Sequence, residues 1–465
     1  MKTLRYLLYT LLMTVIATSC IEDGVDNSPS AQPRFSVDTL KMGTFFTGQP
    51  TPTFRFTVHN RNSKIINISS IALRDGSTFR VNVDGLTGTT FNNIEIRPGD
   101  SIYVFVEATV APLGTPVAGK IEDHLDFVTN GVTRDVVLSI IGQDVTRERG
   151  TVIDADTRWE AEQPYQIFDS LVVAPNATLT LASGTTLCFH DKAAMRVYGS
   201  LVTEGTPEAP VNMTGDRTDN VVGDISFDLM ASQWDGLYFA PESRGNRLSH
   251  TVVRNTVTGV QADSLASVEF VNCRLRNSAG YALVGYHADI TAIGSEIADA
   301  AEGTMLLHGG TATANHCTFA NYYLFAALRG PAVQFSHVNA DTDDGSGLPL
   351  LSARFTNSII YGLGTDLSIG DFEGTDVYFD HCLFKSSGED DEHFIMSIWD
   401  EDPLYYTVRE DYVFDYRLRP ESPAAEAGDP SLTLPAAAID FHAVPRDPAV
   451  PSIGAYQFVM PPEEE

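Results

Sequence analysis

Basic side chains are scarce in this chain: 30 Lys and Arg stand against 61 Asp and Glu, a formal net charge of −31. Binding along a nucleic acid backbone needs clustered cations to displace counterions, so no nucleic acid partner is expected. The acidic balance suits a solvated surface instead. Cysteine is also rare, 5 in 465 residues, too few for a small disulfide-stapled scaffold. The apolar stretch Leu7 to Ile16 falls short of the roughly 20 residues a membrane-spanning helix needs. No phosphate-cradling Gly-rich loop, no nucleophile elbow and no His-Glu-x-x-His helix is present. What remains is a folding composition, 43% hydrophobic and 10% aromatic, in a chain of 465 residues that is too long for one compact core.

Repetition is the strongest positive signal. Thr251, Cys273, Ser295 and Cys317 follow one another at intervals of 22 residues. Val253, Leu275, Ile297 and Phe319 repeat two positions on, and Asn255, Asn277, Asp299 and Asn321 four positions on. Such a period means stacked units, none of which can bury its apolar face alone. Within a unit, Val268 and Phe270 alternate in one parity and Cys273 and Leu275 in the other. Side chains flip face at every residue of a strand, so the slip at Val271-Asn272 marks a corner between two short strands. The Asn column fits a stacked turn with side-chain amides bonding between coils. With coils about 4.8 Å apart, Cys273 and Cys317 lie two coils from each other, beyond disulfide reach, and read as buried fillers.

The start of the chain reads as an export leader: Lys2 and Arg5, an apolar run, then Ala17-Thr18-Ser19-Cys20. This resembles the lipobox of bacterial lipoproteins, which implies cleavage before Cys20 and lipidation of its sulfur. More than one acyl chain gives stable anchoring. Glu22, Asp23 and Asp26 resemble the surface-export tract of lipoproteins from some anaerobic Gram-negative bacteria. The resemblance implies an outer-membrane, cell-surface location with the membrane as a partner. The expected organisation is a leader at 1–19, a tether at 20–33, a β-sandwich of immunoglobulin-like type at 34–146, a β-helix at 155–387, and a C-terminal segment and cap at 388–465. The sandwich rests on short alternating strands such as Phe54, Phe56 and Val58, broken by turns such as Asn130-Gly131.

Gly184-Thr185, Val197-Tyr198-Gly199-Ser200-Leu201, Trp234-Asp235-Gly236-Leu237, Asn357-Ser358-Ile359-Ile360 and Ile453-Gly454-Ala455-Tyr456 resemble the right-handed parallel β-helix repeat surface lipoproteins of such bacteria. The fold class expected is therefore all-β: a right-handed parallel β-helix with coils of about 22 residues behind a β-sandwich. Four Asp-Ser/Thr-aliphatic tripeptides, at Asp38, Asp100, Asp169 and Asp263, resemble O-glycosylation sites of the same bacteria.

Chemistry is thinly marked. Arg254 and Arg276, one coil apart and facing out, are the candidate ligand-binding cations, with Ala298 and Ala320 at their station in the next coils. Arg274 falls over Glu296 and reads as a weak surface ion pair. Asn339, Asp341 and Asp343 place oxygen donors at alternate positions, which makes calcium the candidate cofactor. Asp344 and Leu350 depart from the calcium-loop pattern, and an Asx-rich turn fits the segment better. His250, His316, His337 and His381 stand at corners of different coils and read as turn residues, not zinc ligands. The functional expectation is a non-enzymatic display protein that binds a polysaccharide or another surface protein. The alternative is a calcium-dependent polysaccharide lyase or a glycoside hydrolase.

Overall fold

The computed structural model describes residues 24–460 apart from 224, 343–344 and 369–371. Cys20, the leader and the start of the tether lie outside the described residues. The chain divides into two compact units after Asp144.

The first unit has two five-stranded sheets. One orders Arg34–Phe35, Phe54–His59, Ser101–Ala108, Phe79–Val83 and Leu86–Gly88, all antiparallel. The other orders Thr39–Phe46, Val132–Gln143, Gly119–Thr129, Ile66–Leu73 and Thr90–Ile96, with its first pair parallel. Phe56, Val58 and Val104 of one sheet share a core with Ile68, Leu125 and Leu138 of the other. Alternation along each strand thus buries one face of each sheet against its partner. Strands such as Arg34–Phe35 and Leu86–Gly88 are too short to show an alternating pattern in the sequence.

The second unit is a parallel β-helix. A ten-stranded parallel sheet runs from Thr157–Trp159 to Phe394–Ile395. Two further parallel ladders merge into a 17-stranded sheet through the long strand Tyr165–Val173, which pairs with both Thr186–Phe189 and Ala194–Val197. Each middle coil contributes three strands, as in Ser267–Val271, Arg274–Ser278 and Tyr281–Tyr286. Register holds the predicted period: Val252 pairs with Arg274 and Arg274 with Glu296. Glu296 pairs with Thr318, and Thr318 with Ile359 across an insertion.

The small-residue file is one column. Thr251, Cys273, Ser295, Cys317, Ser358 and Cys382 are all buried, and the Cys273 and Cys317 amides donate to the hydroxyls of Ser295 and Ser358 at 3.0 Å. Immediately before each member, the chain turns through a left-handed residue: His250, Asn272, Gly294, His316, Asn357 and His381, with φ between 41° and 59°. Asn and Gly tolerate that conformation best. At Gly294 a Cβ would also stand 2.1 Å from Asn272 Oδ1. All four described thiols are free, and burial pushes each up to about 12.

Two expectations are corrected. The Asn255 and Asn277 amides do not bond to each other; both donate to the carbonyl of Asp228, at 2.8 and 2.9 Å, in an insertion that lies over the column. Two members do reach the preceding coil: Asn255 Oδ1 accepts the Thr214 hydroxyl at 2.6 Å, and the Asn321 amide donates to Ala300 O at 2.9 Å. The Pro-rich tail, expected to cap the open end, instead covers a side face. Tyr405, Tyr416, Phe441, Ile453 and Tyr456 share a cluster with the outward-facing Ala298, Ala320, Ile359 and Leu383. That strip of alanine and aliphatic side chains is apolar and needs cover. The last coil is closed by Phe394 and Trp399, whose rings pack on Phe384 at 5.5 and 4.7 Å.

Candidate ligand pocket on the covered face

The outward stations of Arg274–Ser278 and Glu296–Ala300 carry Arg274, Arg276, Glu296 and Ala298. The C-terminal segment lays Phe414–Arg417, Phe441, His442 and Tyr456 against them. Between the two lies a cavity of about 310 Å³, walled by three guanidinium groups, two carboxylates and three aromatic rings.

Most polar groups in this wall are paired, while Arg276 Nε is buried without a hydrogen-bond partner. Glu296, only 1% exposed, pairs through Oε1 with Arg276 and accepts the Tyr456 hydroxyl at Oε2 at 2.5 Å. Arg274 donates from Nε to the Tyr456 oxygen at 2.8 Å, contacts His442 Nε2 at 2.7 Å and lies 3.9 Å over the Phe441 ring. Arg417 pairs with Asp415 at 2.6 Å. Beneath the wall, Asp299, 2% exposed, accepts the Tyr416 hydroxyl at 2.5 Å and the Tyr322 amide at 3.1 Å.

Burial dominates the titration here. It raises Asp299 to about 6, although Arg276 and the Tyr416 hydroxyl both favour its ionised form. It also drives the Tyr416 hydroxyl well above its ordinary value, with Asp299 adding to the effect. Arg276 is raised: burial works against its charge, and Glu296, Tyr456 and Asp299 outweigh it. His442 is lowered by burial and by Arg274 beside it.

Arg254 and Arg276 stack in register as expected, but only Arg276 reaches the cavity. Arg254 instead pairs with Asp228 of the insertion at 3.3 Å. The surface ion pair expected between Arg274 and Glu296 is replaced by a buried pair of Glu296 with Arg276. Arg274 turns to Tyr456, His442 and Phe441 because the tail brings an acceptor and ring faces to it. Asn339 is tied into a turn, its carbonyl accepting the Thr342 hydroxyl at 2.9 Å, and Asp341 is exposed in that turn. Asp343 lies outside the described residues. Among the described residues no group of three or more His, Cys, Asp or Glu side chains could hold a metal ion.

Tyr416 and His442 had no marker in the sequence, and Tyr456 stood out only within Ile453-Gly454-Ala455-Tyr456 with no sign of its role here, since the three meet their partners across 117, 168 and 160 residues. The one readable hint was the outward Ala298 and Ala320, too apolar for an open face.

No family model matches the chain, and no curated protein is similar to it in sequence. Several solved structures show partial likeness. A protein of unknown function from Porphyromonas gingivalis W83 is 19% identical, over 26% of this chain and 52% of its own, with a TM-score of 0.19. A family 123 glycoside hydrolase from Clostridium perfringens is 8% identical, over 24% of this chain and 26% of its own, at 0.17. The catalytic domain of a GH87 alpha-1,3-glucanase is 9% identical, over 72% of this chain and 90% of its own, at 0.14. The chain thus spans about half the length of the first and about a quarter of the second.

Proposed function

We propose that this is a lipid-anchored, cell-surface β-helix protein that binds an anionic saccharide without transforming it. Acyl chains on Cys20 would hold it to the outer membrane, and an immunoglobulin-like sandwich at 34–146 would serve as a spacer. One observation carries the reading: in a chain of net charge −31, Arg274, Arg276 and Arg417 gather with Phe414, Tyr416 and Tyr456 round one cavity. Guanidinium forks recognise carboxylates, and aromatic faces accept the apolar face of a sugar ring. The volume lies at the small end of ligand pockets, which favours one or two sugar units. Glu296 has both oxygens engaged, which argues against its service as a nucleophile or base.

Calorimetry with uronic-acid oligosaccharides and their neutral counterparts tests this. The acidic set should bind, and Arg274→Gln should weaken that binding at least tenfold. Equal affinity for neutral sugars, or no binding by any acidic sugar, rejects the reading. The hydrolase or lyase alternative draws on the raised Asp299 next to Arg276. New reducing ends, or the absorbance of an unsaturated product, would establish it in place of simple binding.

A further inference from the structure

The first unit carries a cavity of its own, on the outer face of its antiparallel sheet. Inward residues of that sheet, such as Phe56, Val104 and Val106, fill the core, so their sequence neighbours face out by parity. Cross-strand register sets these outward residues in rows. Arg55 pairs with Phe105, Phe105 with Asn82, and Asn82 with Thr87. In the adjoining row Glu107 pairs with Arg80, and the Thr53 hydroxyl reaches Glu107 from the segment before Phe54. The two-residue turn Asp84-Gly85, with φ of 50° and 85°, closes the hairpin at the edge of the sheet. These rows and the turn border a space of about 470 Å³, well within the range of small-molecule sites.

Its wall is of a different kind from the arginine-rich cavity of the β-helix. One part is aromatic: Phe105 is half-buried on a face turned to water, and the exposed Tyr103 ring lies beside it at 5.9 Å and 27°. The charges cancel, since Glu107 accepts the Thr53 hydroxyl at 2.6 Å and pairs with Arg80 at 3.5 Å. The remaining polar groups are held in place by one another. Asn82 Oδ1 accepts the Gly85 amide at 2.9 Å, and its Nδ2 donates to the Thr87 hydroxyl at 3.1 Å. A side-chain amide has two N–H groups, and a hydroxyl both donates and accepts, so each keeps bonding capacity beyond these contacts.

We propose that this face of the first unit is a second ligand site, which takes one or two rings of a neutral saccharide. The Phe105 ring offers a flat apolar surface to the C–H face of a pyranose, while the Asn82 amide, the Thr87 hydroxyl and the Glu107 carboxylate meet its hydroxyl groups. A wall whose one guanidinium is already matched by a carboxylate gives a sugar acid no advantage, whereas three guanidinium groups line the other cavity. The inference stands apart from the anionic-saccharide reading and gives the first unit a binding role besides that of a spacer.

The test uses the mature full chain in detergent and saturation-transfer NMR with neutral trisaccharides of glucose, galactose and mannose. At least one should bind, with a dissociation constant on the order of 1 mM, the strength of a stacked ring with a few solvent-washed hydrogen bonds. Phe105→Leu keeps an apolar side chain on the outer face and removes the flat ring, and it should weaken this binding at least tenfold. Arg274→Gln, in the other unit, should leave it unchanged. Should Phe105→Leu fail to fold, Thr87→Val at the exposed edge strand decides in its place, with a loss of about threefold expected. No binding of any of the three sugars by the wild type, undiminished binding in Phe105→Leu or in its substitute, or loss of neutral-sugar binding in Arg274→Gln overturns the proposal. Failure of acidic sugars to bind at the arginine-lined cavity changes none of these readouts, so the two readings fail separately.

Discussion

In the coils that run from Thr251 to Asn321, residues facing in and residues facing out alternate along the same strands, yet their neighbours are set in different ways. Cys273 looks inward and meets Ser295, the matching residue of the next coil. Arg274, the next residue, looks outward and meets Tyr456 and His442 from the far end of the chain. The inward column is small, neutral and periodic because each coil can only rest on another like it. The outward column is charged and irregular because a segment with no repeat of its own covers it. Stability along the interior is therefore a matter of fit, and along the exterior a matter of paired charge.

Substitutions that exchange these rules should separate the two columns. The largest effect is expected from Ser295→Asp, which places an uncompensated carboxylate in the thiol and hydroxyl file. A loss of more than about 4 kcal/mol is expected, seen as the absence of a cooperative urea transition at neutral pH. A normal transition would mean that the file is open to water.

Glu296→Gln comes next. It leaves Arg276 partly buried without its counter-ion and should cost about 3 kcal/mol in urea unfolding.

Asp299 gives the third test, by pH. The native state, with Asp299 at about 6, holds this proton more tightly than an unfolded chain, where Asp titrates near 3.9. The stabilising contribution is fully present below about pH 4 and is lost as pH rises to about 6. Asp299→Asn keeps the Oδ1 acceptor and removes the titration. It should raise stability at pH 7 by roughly 2 kcal/mol and abolish this part of the pH dependence. An unchanged profile from pH 4 to 6 would show that Asp299 titrates as a solvated group.

The smallest effect is reserved for an outward pair that nothing covers. Arg247 and Glu269 lie 3.2 Å apart with side chains 56% and 34% exposed, so Glu269→Gln should shift stability by no more than about 0.5 kcal/mol. If it matched Glu296→Gln, cover by the tail would not be what gives the exterior charges their weight.

How far these features could be read beforehand follows the same divide. The file from Thr251 to Cys317 and the corner at Asn272 were legible because a repeat prints its own register. The first-unit strands showed through their alternation, save the shortest ones. The roles of Arg274 and Glu296 were misread because their register was visible while their cover was not. Sequence position marks His337 only as a corner residue and gives no sign that the rings of His287, His308 and His337 meet. Ring against ring contact across coils depends on where each chain excursion returns, and the segments after Asn321 and after Val338 break the 22-residue spacing.

By itself the sequence determined a stacked all-β solenoid behind a separate β unit, because period and parity leave an apolar stripe only one way to be buried. Only the tertiary structure decided that the tail covers a flank and gathers arginines, carboxylates and tyrosines round a cavity. Those partners come from distant parts of the chain, and burial then sets their charge and hydrogen bonding, which no local pattern encodes.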